Sequence, residues 1–452
     1  MTVLLYTLGV VVFVVAILVS IGLHELGHMI PAKAFGAKVT QYFIGFGPTV
    51  WSKQVGETEY GVKAIPLGGY VKIVGMLPPG AEEYADQVGV APDGTPVHRV
   101  RKSNTGMFTQ LVSDARAAEW ETISPEDAPR LFYRLPWWKK VVVMAGGPMV
   151  NVAIAFFIFA GVFATYGNPN DVRTSPTVAA VSPCVVPYDE SGRACTDADP
   201  VTPAAAAGLQ PGDEIVGFNG AEITDWRELQ RMIRGNADGE ATLTVLRDGA
   251  EVTLTTNTLV TARPATGDDA DPAVTEEVGF LGVTPETSLA TGGPIYTLGE
   301  MGHMTVRTVE ALGQLPVKVW GVAQAIVGLQ ERDPESPVSI VGGGRIAGET
   351  TALEDFPVTE KVVFLLLLIA GFNFFIGMFN LIPLLPLDGG HIAGALYEGA
   401  RRALARLRRR PDPGYVDVAK LLPIAYVVGS AILVMGVVLI VGDIVVPLSP
   451  YS

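Results

Sequence analysis

Four long apolar runs dominate this chain, at residues 3–30, 141–166, 362–385 and 422–446. Each reaches the length of about 20 residues that a helix needs to cross the hydrocarbon core of a bilayer. No Lys or Arg precedes the first run and no small-residue cleavage site follows it, so it is expected to be an uncleaved spanning helix. Between the runs the pattern changes to shorter elements. The Gly-rich segment 42–76 alternates at residues 60–64 and 70–74, which predicts a β-hairpin. Asn219-Gly220 closes a short apolar strand at 214–218, and Asp225 opens a helix whose Trp226, Leu229, Met232 and Ile233 share one face. Strands at 242–247 and 251–255 follow, joined through Asp248-Gly249. Residues 297–329 are amphipathic and are expected to lie on the outer membrane face.

Composition agrees with a membrane protein. The chain is 49% hydrophobic and only 17% charged, against roughly 25% charged in soluble domains. Its formal charge of −14 argues against nucleic-acid binding, which needs a basic face. Basic residues gather between 31 and 140 and again at Arg401, Arg402, Arg406, Arg408, Arg409 and Arg410, whereas 167–360 is acidic. The positive-inside bias therefore places the two basic segments in the cytoplasm, and both termini and the acidic segment outside. On the outer side Cys184 and Cys195 can form a disulfide, and two free thiols are an equally open reading. The order of elements after Ala207-Gly208-Leu209-Gln210-Pro211-Gly212-Asp213 resembles a bacterial PDZ domain over residues 176–262, which implies a groove that binds peptides by strand addition.

The sharpest chemical signal is His24-Glu25-Leu26-Gly27-His28 near the cytoplasmic end of the first run. Residues i and i+4 lie on one helical face, so both imidazoles can bind one zinc ion with Glu25 beside them as a base. Ionisable groups inside a bilayer are costly and call for a partner or a metal. A catalytic zinc takes a third protein ligand and keeps one position open. Asp388 is the best candidate, since it ends the run Asn380-Leu381-Ile382-Pro383-Leu384-Leu385-Pro386-Leu387, where two prolines break the helix. His391 is read as structural, because the HExxH pair already supplies the histidines. A transporter would be expected to show repeats among its spans, and none is evident.

These motifs resemble the site-2 protease family, in particular its RseP-type bacterial members. The resemblance rests on HELGH, on NxxPxxxxDG read as Asn380 to Gly389, on the PDZ-like module, on Gly45-Phe46-Gly47-Pro48, on Gly68-Gly69-Tyr70-Val71-Lys72 and on Ala145 to Asn151. It implies an intramembrane zinc metalloprotease in which His24, His28 and Asp388 bind Zn2+, Glu25 is the general base and Asn380 positions or polarises the substrate backbone. It also implies a membrane-dipping β element whose edge, at Tyr70, Val71 and Lys72, receives the substrate as a strand. Expected partners are single-span membrane proteins after a first cleavage, such as anti-sigma factors or signal-peptide remnants, and the bacterial plasma membrane is the expected location. Some relatives carry two PDZ domains, whereas one is found here.

The expected architecture is a multi-span α-helical membrane protein with four transmembrane helices, a membrane-associated β-hairpin and an extracytoplasmic α/β PDZ-like domain. Its parts are a first transmembrane helix with HExxH (1–30), the hairpin region (31–76), a cytoplasmic insert (77–139) and a second transmembrane helix (140–167). The PDZ-like domain (176–262) and an outer linker with an amphipathic helix (263–360) come next. The third transmembrane region (361–396), a basic cytoplasmic loop (397–421) and the fourth transmembrane helix (422–447) complete the chain.

Overall fold

The computed structural model describes residues 2–78, 88–90, 96–98, 107–120, 123–190, 193–265 and 274–448, so much of the insert expected at 77–139 lies outside the described residues. The chain divides into two compact units, Met1–Val162 with Gly293–Ser452, and Phe163–Gly292.

The first unit opens with α1 (Thr2–Ala34), followed by β1 (Val39–Val55) and β2 (Thr58–Ile73). The pairing of these two long strands corrects the expected hairpin. Residues 60–64 and 70–74 do not pair with each other; the first segment and residues 70–73 of the second belong to β2 and flank the first half of β1 on opposite sides. Val39 to Ile44 run against Gly69 to Ile73, while Tyr42, Phe43 and Ile44 also face Tyr60, Gly61 and Val62 with both numbers rising together. Thr49 to Val55 then return along Thr58 to Lys63, which makes a folded sheet of four short segments. Glycine makes the folding-back possible: Gly45, Gly47 and Gly68 have φ of 91°, 83° and 93°, values that other residues rarely adopt. The segment 70–73 is left as an edge. Next come the short pair β3 (Val88–Val90) and β4 (Pro96–His98), then α2 (Met107–Trp120) and α3 (Trp137–Thr165).

The second unit contains β5 (Asn168–Val181), α4 (Pro203–Ala206), β6 (Glu214–Phe218), β7 (Ala221–Glu222), α5 (Trp226–Gly235), β8 (Glu240–Arg247) and β9 (Ala250–Asn257). It ends with β10 (Leu259–Pro264), β11 (Thr275–Phe280) and β12 (Val283–Ala290). The main sheet has the order β12-β5-β6-β8-β9 with β7 on β6, and β10 pairs with β11 separately. Alternation in β8 sends Ala241, Leu243 and Val245 into a core with Ile215, Phe218, Leu229, Ile233 and Leu281. The Asp225 side chain caps α5 by accepting from the backbone N–H groups of Arg227 and Glu228. Asp248 (φ 52°) and Gly249 (φ 81°) form the tight turn between β8 and β9. Cys184 and Cys195 form a disulfide.

The remaining helices belong to the first unit: α6 (Pro294–Ile326), α7 (Ile340–Ala352), α8 (Val358–Asn380), α9 (Asp388–Leu407) and α10 (Leu422–Val445). The stretch expected to be a linker therefore holds α7, which packs on α1 through Gly343, Gly344, Ala347 and Gly348 against Tyr6, Gly9, Val10 and Phe13. Small residues let the two backbones approach closely. Asp443 of α10 ties the entry to α7 by accepting from Ser339 N–H, Gly342 N–H and the Arg332 guanidinium. The third apolar run ends as helix at Asn380, and the segment expected to be a basic loop begins as the last turns of α9. Glu398 and Arg402, one turn apart and 3.2 Å from each other, help hold that stretch helical. Among the described residues, four helices are long and apolar enough to cross a membrane: Thr2–Ala34, Trp137–Thr165, Val358–Asn380 and Val418–Val445.

Candidate metal centre

His24 and His28 project from one face of α1, as i and i+4 must, and both are buried. Their Nε2 atoms lie 3.2 Å apart. The Nδ1 of His28 donates to the Val143 carbonyl of α3 at 2.8 Å. That bond places the ring proton on Nδ1 and leaves the Nε2 lone pair turned towards His24.

The third group arrives from far along the chain. α8 stops at Asn380, residues 381–387 turn through Pro383 and Pro386, and α9 starts at Asp388. The turn is compact: a Cβ on Gly390 would lie 2.5 Å from the backbone nitrogen of Leu385. Asp388 Oδ2 consequently stands 3.3 Å from both histidine Nε2 atoms. Among the described residues these three are the group of His, Cys, Asp and Glu side chains whose ligand atoms converge. Ligand bonds of about 2.0–2.1 Å in a tetrahedral site put neighbouring donors about 3.3 Å apart, so the spacing fits a bound zinc-sized cation. The donor chemistry fits as well, since two imidazole lone pairs and a carboxylate oxygen share one point.

The helices meet here at close range. A Cβ on Gly27 would collide with the Gly146 carbonyl, and a Cβ on Gly147 would lie 2.7 Å from His24 Nε2. Glycine in α3 is thus what gives the imidazole pair its room. Glu25 faces the same space. The site opens on a cavity of about 400 Å³. Tyr70, Val71, Asn380 and Pro386 line it. Lys72 is exposed and does not line it. His391 does line the cavity yet stands outside the converging group. Ser20 and Asn151 line it too, though sequence reasoning did not single them out for chemistry. Asn151 is buried and its side-chain oxygen has no hydrogen-bond partner among the described residues; a polar residue within an apolar run was the available signal.

The sequence matches peptidase family M50 over residues 12–420. The chain belongs to this family. Among M50 relatives, "Zinc metalloprotease Rip1" of Mycolicibacterium smegmatis is 34% identical, covering 99% of this chain and 100% of that protein. The Mycobacterium tuberculosis protein of the same name is 33% identical over 98% of this chain and 99% of its own length. "Metalloprotease MmpA" of Caulobacter vibrioides is 29% identical, covering 87% and 86% respectively. With four apolar helices, this M50 peptidase is a multi-pass membrane protein.

Proposed function

We propose that this M50 zinc metalloprotease cuts the transmembrane segments of other membrane proteins, with His24, His28 and Asp388 as its zinc ligands. The observation that carries this reading is the convergence of their three donor atoms at 3.2–3.3 Å, with Glu25 on the same cavity. His24, His28 and Asp388 would hold the zinc, which would supply Lewis acidity towards a peptide carbonyl and water. Glu25, on the same cavity, takes up a proton and returns it to the leaving amine. Asn380 presents its amide to the substrate carbonyl; loss of such a donor costs about 100-fold or more.

A helical substrate hides its carbonyls in i to i−4 hydrogen bonds and must unwind locally. The sheet edge at Tyr70 and Val71 replaces those bonds by taking the unwound segment as an added strand. In this reading residues 176–262 form a PDZ-like module outside the cell membrane, which screens substrates by size or reads new C-termini after a first cut. The Cys184–Cys195 disulfide supports that side, which is oxidising. Arginines 401–410 support a cytoplasmic position for the metal centre. Anti-sigma factors and signal-peptide remnants have the single-span chemistry the site accepts.

The test is co-expression of single-span candidate substrates with the native protein and with Glu25→Gln. Cleavage is expected to vanish in the variant while its zinc content stays unchanged. Persisting cleavage in Glu25→Gln, or native protein purified without near-stoichiometric zinc, overturns the assignment.

A further inference from the structure

Helix α9 leaves the cavity at Asp388 and presents unlike faces along its length. One face is packed: Ala395, Glu398 and Gly399 are buried, Lys140 Nζ of α3 bonds Glu398 at 2.7 Å, and a Cβ on Gly399 would strike the Trp137 ring. Another face carries Leu396, Ala400, Ala403, Leu404 and Leu407, at i, i+4, i+7, i+8 and i+11, the spacing of a single apolar stripe. That stripe is uncovered, with Leu396 49% exposed, Leu404 46% and Leu407 82%. Beside it and beyond its end stand Arg406, Arg408, Arg409 and Arg410, all exposed and, among the described residues, without an ion pair.

Two facts narrow what can cover this surface. α9 begins only seven residues after the end of the spanning helix α8, so the chain has just emerged at the bilayer boundary. Arg406, Arg408, Arg409 and Arg410 have no acidic partner among the described residues, so this end of the helix calls for negative charge from outside the molecule. An apolar stripe flanked by arginine satisfies both demands in one place, the headgroup layer, where acyl chains cover the leucines and phosphates meet the guanidinium groups.

We propose that α9 lies in the headgroup layer of the leaflet nearest the metal centre, with its leucine stripe in the acyl boundary and Arg406, Arg408, Arg409 and Arg410 bound to anionic phospholipid phosphates. Because α9 starts at Asp388, the seating of the helix sets where that carboxylate stands, and substrate cleavage rises with anionic lipid. This last step rests on the role proposed for Asp388; the lipid contact itself does not.

The experiment uses full-length, zinc-loaded protein in nanodiscs of phosphatidylcholine alone or with phosphatidylglycerol added. Competition between spin-labelled phosphatidylglycerol and phosphatidylcholine is expected to favour phosphatidylglycerol about fivefold or more, the effect of one basic side chain near an anionic surface. The preference should disappear in the variant R406Q/R408Q/R409Q/R410Q, and shrink at high salt. Equal binding of the two lipids, or a preference that survives the variant, overturns the proposal. A second measurement guards against misfolding. A nitroxide placed at Leu407→Cys, with the two native cysteines already disulfide-bonded, should collide more with dissolved oxygen than with an aqueous nickel reagent. More nickel contact puts the stripe in water, and low contact with both reagents puts it under a protein; either result overturns the proposal. Cleavage that is equal in both lipids while the lipid preference holds refutes the coupling to Asp388. Absence of cleavage in every lipid with the preference intact refutes the protease reading and leaves the lipid contact standing.

Discussion

Replacing Gly147 by alanine tests whether α3 is the wall against which the metal ligands are set. The new Cβ would lie 2.7 Å from His24 Nε2 and closer still to His28 Nε2, whereas ordinary contact begins at 3.4 Å. Both rings must therefore retreat, His24 by about 0.7 Å and His28 by about 1.1 Å, several times the roughly 0.2 Å over which metal–ligand distances are tolerated. His28 cannot give way freely, since its Nδ1 is tethered to the Val143 carbonyl one turn earlier on the same helix. The expected result is a loss of zinc affinity of at least about 100-fold, with an overpacking cost of about 1–3 kcal/mol. Zinc per protein, measured by mass spectrometry across buffered free-zinc concentrations, reads this directly, and cleavage of a single-span substrate follows it. Gly161→Ala, on the same helix, is the control, because among the described residues nothing beyond the helix's own backbone lies within 4 Å of its Cβ position. That variant should keep zinc and gain up to about 1 kcal/mol of helix stability. Full zinc occupancy of Gly147→Ala at the native free-zinc level would refute the reasoning, as would equal losses in both variants.

Further outcomes follow from the buried and bridged groups. Lys140→Met leaves buried Glu398 with Arg402 and the Val416 N–H as its partners among the described residues and should cost up to about 3 kcal/mol, seen as a lowered thermal midpoint in detergent; the double variant with Glu398→Leu should recover part of it, and an unchanged midpoint in Lys140→Met refutes the buried pair. Arg247 donates twice to buried Asp213 at 2.7 Å and holds its carboxyl below the usual carboxylate range. Stability from that pair is complete above the ordinary carboxylate value of about 4 and is lost as pH falls through the lowered folded value. The opening equilibrium in residues 163–292, taken from hydrogen exchange corrected for its intrinsic slowing at lower pH, should therefore rise on acidification, and Arg247→Gln should flatten that dependence; identical pH profiles would contradict it. The Cys184–Cys195 bond closes a short loop, so replacing both by serine should reduce the stability of the same unit by about 2–3 kcal/mol, read by denaturant unfolding of the full chain.

The spanning helices are readable in the sequence because bilayer thickness demands uninterrupted apolar length, a property that needs no tertiary information. The strands between them were harder to read. Alternation correctly marks 60–64 and 70–74 as extended, but it is silent on partners, and the pairing here depends on glycines at 45, 47 and 68 whose positive φ folds two long strands back on themselves. Helix α7 is hidden for a different reason. Gly342, Gly343, Gly344 and Gly348 lower its intrinsic helicity, and its stability comes from close contact with α1, where Gly9 faces Ala347 and Thr351. Helix α9 was obscured by prolines before it and arginines after it, although the leucine and alanine spacing between them already has the helical period.

The same division runs through the metal centre. His24 and His28 declare themselves because one turn of helix converts a four-residue spacing into a shared face, and Asp388 does so because a carboxylate after an apolar run needs a partner. What makes the pair usable as ligands is not visible as residue type. The tautomer of His28 is set by a backbone carbonyl 115 residues away, and every amino acid carries a carbonyl. The room for both rings is set by the absence of a side chain at Gly147, and glycine in an apolar helix equally often serves helix packing or a local bend. Both contributions come from α3, which supplies none of the three converging atoms. Side-chain substitution can remove the glycine's contribution but not the carbonyl's, so the two separate by experiment: Val143→Ala should leave the His28 bond and zinc binding intact, whereas Gly147→Ala should not. Loss of zinc in Val143→Ala would mean that the valine side chain, and not its carbonyl, holds the imidazole in place.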